Sequence, residues 1–224
     1  MAEELGKIER PEAEKFSKGR RLVFVPLIFL PFEPDEGFQE KARRYWDEVE
    51  AHVANLELKL GSVNKVYHEL VPVGGEEGCK VVEQLNSSGY QVIRARLDKG
   101  AEVQPIEDIE LLTEFMDWSR CLTIGLQNQK VLTKVYESYS EVRSKRNTDM
   151  AKRIDETLKG EDIGILIMRE GHQIQFPPDV EVFYVAPPSL DEIKRWIREQ
   201  EQAFEKQDEQ ESTDSEESDK GAQS

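Results

Sequence analysis

The chain has 224 residues, of which 38% are hydrophobic, and a formal net charge of −16 at pH 7. That much apolar material can form a core, whereas so acidic a chain repels a phosphate backbone, so we expect no nucleic-acid partner. The longest apolar run, 22–32, contains two prolines and is shorter than the roughly 20 residues that a membrane span requires. The two cysteines form no disulfide framework, and the N-terminus lacks the pattern of a secretory signal. The sequence therefore predicts a soluble, cytoplasmic protein without a membrane span.

The negative charge is concentrated at the C-terminal end. Residues 199–224 contain 10 acidic residues and 2 lysines, so they carry −8, which is half of the net charge. A segment this polar cannot bury enough apolar surface to offset the entropy of ordering. We expect a flexible N-terminus over 1–19, an α/β domain over 20–205 and a disordered acidic tail over 206–224. The tail would either keep the protein soluble or bind a basic partner.

Apolar residues within 20–205 follow strand and helix periodicities in turn. Strands are predicted at 22–30, 63–67, 101–106, 163–168 and 180–185. Helices are predicted at 36–60, 76–85, 88–99, 108–127 and 129–158. A last helix begins at Ser189, where Glu192 would complete a capping box. Strands that are separated by helices predict the α/β class, with a mostly parallel sheet and helices packed on it in a single domain.

Ionisable residues follow three of the predicted strands. They are His68, Glu69, Glu107, Asp108, Arg169, Glu170 and His172. Because parallel strands present their carboxyl ends at one edge of a sheet, where ligands bind, these side chains are candidates for a single polar rim. Each group also has a simpler interpretation. The 107–108 pair is typical of negative residues at a helix N-terminus, and the others are typical of solvated loops.

Arg146 interrupts the apolar stripe of the helix predicted at 129–158. The stripe includes Val142, Met150 and Ile154, and four residues before Met150 the sequence places Arg146 where an apolar residue would be expected. An inward arginine requires carboxylate or phosphate partners, because an unpaired buried charge is costly. Arg146 would then anchor an active-site carboxylate or an anionic substrate. The alternative is an arginine that extends to the surface or forms a salt bridge at the edge of the core.

The chain contains no Walker loop and no GxGxxG, GxSxG or HExxH motif, which removes the usual nucleotide-binding, dehydrogenase, α/β-hydrolase and zincin assignments. The stretch RNTDMAKRIDETLKGEDIGILIMREGH, followed by FPPDVEVFYV, resembles the TraB/ChaN/erythromycin-esterase-like superfamily. By this resemblance, Arg146 and Met150 occupy the arginine and methionine positions, Gly171 and His172 form the histidine turn, and Glu69 follows the second strand. One feature departs from the family pattern: the first strand, LVFVPLIFLP, ends without the expected histidine.

The resemblance implies an α/β fold that carries out hydrolytic chemistry, with or without the help of a metal, or that binds a small ligand. In the first hypothesis, Glu69, Arg146 and His172 are the catalytic residues of a divergent hydrolase-like domain, with Glu69 or His172 as general base. His68, Glu107 and His172 would hold a divalent metal that activates water. The alternative is a catalytically inactive scaffold that binds a partner through its charged helices and acidic tail. Neither hypothesis specifies which small molecule or protein is bound.

Overall fold

The computed structural model describes residues 19–28, 36–200 and 202. The tail predicted at 206–224 lies outside these residues, as does the flexible segment predicted at 1–19, apart from Gly19. Within the described part of the chain there are five strands and six helices. No described helix combines the length and the apolar character needed to cross a membrane.

The five strands form one sheet in which every neighbouring pair is parallel. They are β1 (Arg20–Pro26), β2 (Lys65–His68), β3 (Glu102–Val103), β4 (Ile163–Met168) and β5 (Val180–Tyr184). Their order across the sheet is β3-β2-β4-β1-β5. The register aligns Val23 of β1 with Ile165 of β4 and with Phe183 of β5. The predicted α/β class with a mostly parallel sheet is confirmed.

The helices follow the predicted pattern closely. They are α1 (Glu36–Leu60), α2 (Gly75–Leu85), α3 (Tyr90–Leu97), α4 (Ile109–Thr123), α5 (Gln129–Thr157) and α6 (188–200). The start of α6 differs from the prediction. Ser189 donates both its N–H (3.2 Å) and its hydroxyl (2.7 Å) to Glu48 of α1, while Glu192 pairs with Arg44. The first turn of α6 is therefore bound by a carboxylate from another helix and not by the predicted capping box.

Alternate residues of each strand pack against different helices. Val23 and Val25 belong to a core that includes α1, α2, α3 and α6. Leu22 and Phe24 belong to a second core, on the other face, with Met150, Ile154 and Leu158 of α5. The same alternation places Val66 in the first core and Tyr67 in the second. Successive residues at the end of β2 consequently point to opposite faces of the sheet.

The connection from β4 to β5 contains no helix. Residues 169–179 pass from β4 to β5 across the end of β1, which lies between the two strands. Parallel strands are ordinarily joined by a crossover helix. Here the missing helix leaves a loop, beginning at Arg169, directly at the carboxyl edge of the sheet. Gly171 has a φ of 78° within this loop, a conformation that favours glycine, and a Cβ there would have open space around it.

Gly164 provides the space in which α5 packs against the middle of the sheet. A Cβ at this position would lie 2.9 Å from Leu22, 3.0 Å from Tyr67 and 3.2 Å from Leu158. These distances are shorter than ordinary van der Waals contacts. Any side chain at 164 would therefore displace Leu22, Tyr67 or Leu158, the residue that directly follows α5.

We expect Gly164→Ala to lower the free energy of unfolding by about 1–3 kcal/mol, because the added methyl group overpacks this contact. The measurement is chemical denaturation at neutral pH. Lys152→Ala, on the exposed surface of α5, serves as the control and should change stability by less than about 0.5 kcal/mol. An unchanged denaturation midpoint for Gly164→Ala would contradict the close packing.

Candidate functional site

The site is organised around a buried ion pair between α5 and the end of β3. Arg146 is 3% exposed, and its Nε donates to Glu107 Oε2 at 2.8 Å. Its Nη2 donates to Glu107 Oε1 in a second, parallel bond. This fork geometry is the strongest arrangement that an arginine and a carboxylate can form. The inward position predicted for Arg146 is confirmed, and its partner is a protein carboxylate.

Glu107 is held from a second side by the turn that follows β2. The backbone N–H of Leu70 donates to Glu107 Oε1 at 3.0 Å. Leu70 has a φ of 70°, which is rare for a residue other than glycine, asparagine or aspartate. A strained backbone of this kind persists only where the surroundings enforce it, and it is concentrated at functional sites. No local pattern in the sequence indicates that Leu70 adopts this conformation.

Glu69 connects this ion pair to the loop after β4. Arg169 donates its backbone N–H to Glu69 Oε2 at 2.9 Å and its Nη2 to Oε1 at 2.7 Å. Arg146 Nη2 also reaches Glu69 Oε1, at 3.3 Å. Both oxygens of the Glu69 carboxylate therefore accept hydrogen bonds from arginine.

The charges of this network stabilise one another. Burial alone would raise the pKa of Glu69, but the hydrogen bonds and charge of Arg169, with the charge of Arg146, lower it below its ordinary value. Burial opposes the charge of Arg146, yet the hydrogen bond and charge of Glu107 raise the pKa of that guanidinium. Both groups are ionised at neutral pH.

Phe115 of α4 completes the surroundings of Arg146. The guanidinium carbon lies 4.6 Å from the centre of the Phe115 ring, a distance typical of a cation–π interaction. The sequence contained no signal that would have placed Phe115 at the site, because the contact depends on how α4 packs on α5.

A cavity of about 160 Å³ opens beside the ion-pair network. Arg146, Arg169 and His172 line it, together with Arg143 and Asn147 of α5. Asn147 is 8% exposed, and its side-chain amide has no hydrogen-bond partner among the described residues. Arg143 lies over the ring of Tyr139, at 5.4 Å, and pairs with no carboxylate in the described part of the chain. Neither residue stands out from the sequence by its type, although the two are four apart and so share one face of α5.

His172 lies at the edge of this cavity, against aromatic rings. The centre of its ring is 4.9 Å from that of Phe24 and 5.7 Å from that of Phe176. Its Nδ1 accepts the backbone N–H of Ile174 at 3.3 Å. Burial lowers the pKa of His172, and the charge of Glu69 offsets this only in part. We assign the neutral imidazole with its proton on Nε2, because Nδ1 is the acceptor.

His68 is not part of this cluster. It is 1% exposed and lies on the opposite face of the sheet from Glu69, where Asn86 approaches its Nε2 at 3.4 Å. Its Nδ1 is bonded to the Glu69 carbonyl at 2.6 Å. The proposed metal ligands His68, Glu107 and His172 are therefore not brought together. Among the described residues, no three histidine, cysteine, aspartate or glutamate side chains are grouped so that they could hold a metal ion.

The donor chemistry of the remaining residues does not suit a divalent metal either. The oxygens of Glu107 and Glu69 accept hydrogen bonds from arginines and backbone N–H groups. At the end of β1, where the family resemblance implies a histidine, the chain has Pro26 and the buried Leu27. The site thus consists of carboxylates neutralised by arginine, without a vacant set of metal ligands.

Asp108 has the simpler of its two predicted roles. Its side chain accepts the backbone N–H groups of Glu110 and Leu111 at the start of α4. Asp108 is therefore a helix N-cap, whereas the adjacent Glu107 turns inward to Arg146. Glu170, at the rim after β4, pairs with Lys194 of α6 at 2.6 Å.

No protein-family model matches the sequence. Searches of curated proteins and of solved structures also yield no match. The resemblance to the TraB/ChaN/erythromycin-esterase-like superfamily stays a prediction, and conclusions about function depend on the geometry of the site.

Arg146→Met tests the central ion pair. We expect it to lower the free energy of unfolding by about 3–5 kcal/mol, because it leaves the charge of Glu107 buried without a counter-ion. Chemical denaturation measures the loss. Adding Glu107→Gln to this variant should restore part of the stability, since it removes the unpaired charge.

Arg153→Met is the matched control for Arg146→Met. Arg153 pairs with Asp108 and Asp149 on the half-exposed side of α5, so its loss should cost less than about 1 kcal/mol. Equal effects of the two arginine substitutions would contradict a special role for Arg146.

Glu69→Gln tests the lowered pKa of Glu69. A carboxyl group whose pKa is lowered by folding contributes stability above its ordinary pKa of 4.5, and that contribution is lost as the pH falls through the folded value. The variant should be less stable than the native protein by about 1–3 kcal/mol at pH 7. The difference should shrink as the pH falls from 4.5 through the lowered pKa of the folded carboxyl group, below which the native protein is protonated as well.

Denaturation curves recorded between pH 7 and pH 3 provide this comparison. Glu110→Gln, on the exposed surface of α4, controls for the loss of a carboxylate without arginine partners. If the stability difference between Glu69→Gln and the native protein were independent of pH, the charge of the Glu69 carboxylate would not be what stabilises the loop after β4.

Proposed function

We propose that this protein binds a small anionic molecule in the cavity beside Arg146. The observation that carries the proposal is Arg143, a cation at the cavity that pairs with no carboxylate among the described residues. A guanidinium in this position is suited to recognise a carboxylate or phosphate group. The location, at the carboxyl edge of a parallel sheet, is where such folds ordinarily bind ligands.

The balance of charge at the cavity supports an anion. Glu69 and Glu107 are neutralised by Arg146 and Arg169, and Glu170, which also lines the cavity, is neutralised by Lys194. Arg143 therefore leaves this group with an excess positive charge. The excess is notable in a chain with a net charge of −16. A negative ligand would neutralise the excess in a partly desolvated place, where charge interactions are stronger than in water.

Two further donors could hold the same ligand. The Asn147 amide lines the cavity and has no partner in the described structure. The neutral His172 would offer its Nε2–H, since its Nδ1 is already an acceptor. A guanidinium, an amide and an imidazole N–H together provide the few convergent polar groups that fix a ligand's orientation.

The size of the cavity limits the ligand. Its volume of about 160 Å³ is below the roughly 300–1,000 Å³ of sites for drug-sized molecules. The cavity thus favours an acid group with few atoms and disfavours a nucleotide.

Ligand binding is better supported than the other functions that the sequence suggested. In a metal-assisted hydrolase, Glu69 and Glu107 would need free oxygens, and they are bonded to arginine. A general base at His172 would need an unprotonated nitrogen directed to substrate, and its acceptor nitrogen is bonded to Ile174. A scaffold without a ligand would not require Glu69, Arg146 and His172 to converge on one cavity.

Titration with sodium acetate and, separately, with inorganic phosphate tests the proposal at constant ionic strength. Nuclear magnetic resonance of the full chain follows the side-chain amide of Asn147. We expect saturable shifts with at least one anion, and Arg143→Met should weaken that binding at least about tenfold, because it removes a charge-assisted hydrogen bond.

Lys145→Met is the matched control, because it removes the same charge from the same helix at an exposed position. Its affinity for the anion should equal that of the native protein. The proposal fails if neither anion saturates the Asn147 signal, or if Arg143→Met and Lys145→Met bind equally well.

A further inference from the structure

We infer that the ligand is an amphipathic monocarboxylic acid whose hydrocarbon chain lies in a second cleft, next to the anion cavity. This inference rests on the proposed function, because it takes the cavity beside Arg146 as the place of the acid group. The second cleft has a volume of about 260 Å³. Phe115 and Arg169 line both spaces, so the two are adjacent, and a ligand anchored in the first would reach the second by passing these two side chains.

One face of α4 forms a wall of this cleft. Phe115, Met116, Ser119 and Thr123 lie on it, and Leu70 from the turn after β2 stands opposite. Leu70, Phe115 and Met116 supply the apolar part of this lining, and Arg120 and Arg169 supply its charged part. Met116 is 39% exposed, although a large apolar side chain gains free energy when it is covered.

Leu70 links the second cleft to the ion-pair network. Its φ of 70° allows its N–H to reach Glu107, below the anion cavity, while its side chain lines the apolar cleft. Glycine or asparagine would adopt this conformation with less strain. A leucine at a position that disfavours leucine supplies apolar surface at the entrance of the cleft.

The charges around the cleft favour one acid group over two. No carboxylate lines the cleft within the described residues. Its arginines already have partners: Arg169 pairs with Glu69 at 2.7 Å, and Arg120 pairs with Asp117 at 3.0 Å. A second acid group at the far end of the chain would therefore meet no free cation, whereas a methyl end would meet apolar surface.

The experiment titrates the full chain with acetate, butyrate, hexanoate and octanoate and follows the Asn147 amide as before. Each methylene group that enters the cleft should tighten binding about fourfold, the usual gain for burying one methylene. The gain should stop once the cleft is filled. Arg143→Met should weaken the binding of hexanoate as well as that of acetate, because both use the same anchor.

Met116→Ser distinguishes binding of the hydrocarbon chain from binding of the acid group. It should reduce severalfold the increase in affinity from acetate to hexanoate. The affinity for acetate should stay unchanged, because the substitution alters only the cleft. Ile109→Ser is the matched control, since Ile109 is exposed on the same helix but does not line the cleft. It should leave the affinity for both acids unchanged.

The outcomes distinguish this inference from the proposed function. Equal affinity for acetate and octanoate, or tighter binding of adipate than of hexanoate, would overturn the amphipathic monoacid and leave the anion site in place. If the increase in affinity with chain length fell equally in Ile109→Ser and Met116→Ser, that result would likewise overturn the assignment of the hydrocarbon chain to this cleft. If neither these acids nor phosphate binds, the proposed function itself fails.

Discussion

The ion pair between Arg146 and Glu107 is the interaction on which the rest of the site depends. It joins the middle of α5 to the end of β3 and fixes the turn at Leu70 through a shared carboxylate oxygen. Through Glu69 it also extends to Arg169 and thus to the loop after β4. A buried ion pair adds little to the free energy of unfolding compared with a well-packed apolar pair. It does specify the relative positions of the elements that carry it, because each donor must meet its acceptor. Three strand ends and two helices are thereby held in one arrangement around a small cavity.

The alternation of side chains along β2 decides what chemistry this arrangement can perform. His68 and Glu69 are neighbours in the sequence, yet the pleat directs them to opposite faces of the sheet. The imidazole is enclosed on one side, while the carboxylate on the other side is neutralised by arginines. Acidic groups at a strand end are often taken as catalytic groups. Here their oxygens are occupied, and the groups left available at the cavity are hydrogen-bond donors.

Much of this architecture could be predicted from the sequence, and the remainder could not, for physical reasons. The helix at 36–60 and the strand at 163–168 were predicted at their observed bounds, because periodicity and terminal glycines are local signals. The inward position of Arg146 followed from a gap in an apolar stripe. The predicted strand at 101–106 is only two residues long, since pairing depends on a neighbour that local pattern does not reveal. Phe115 and Asn147 were missed because their roles arise from the packing of α4 and α5 and from the position of the loop after β4.

The order of the strands also constrains how the chain folds. β1 is the first strand among the described residues, but both of its partners, β4 and β5, begin only at Ile163 and Val180. Until those segments have been synthesised, a strand whose last five residues, LVFVP, are apolar has no neighbour on either edge. Contacts that span so much of the chain slow folding and expose unpaired edges meanwhile. During translation, this inner strand therefore stays unpaired until about three quarters of the chain has been made, and its exposed edges favour aggregation over that interval.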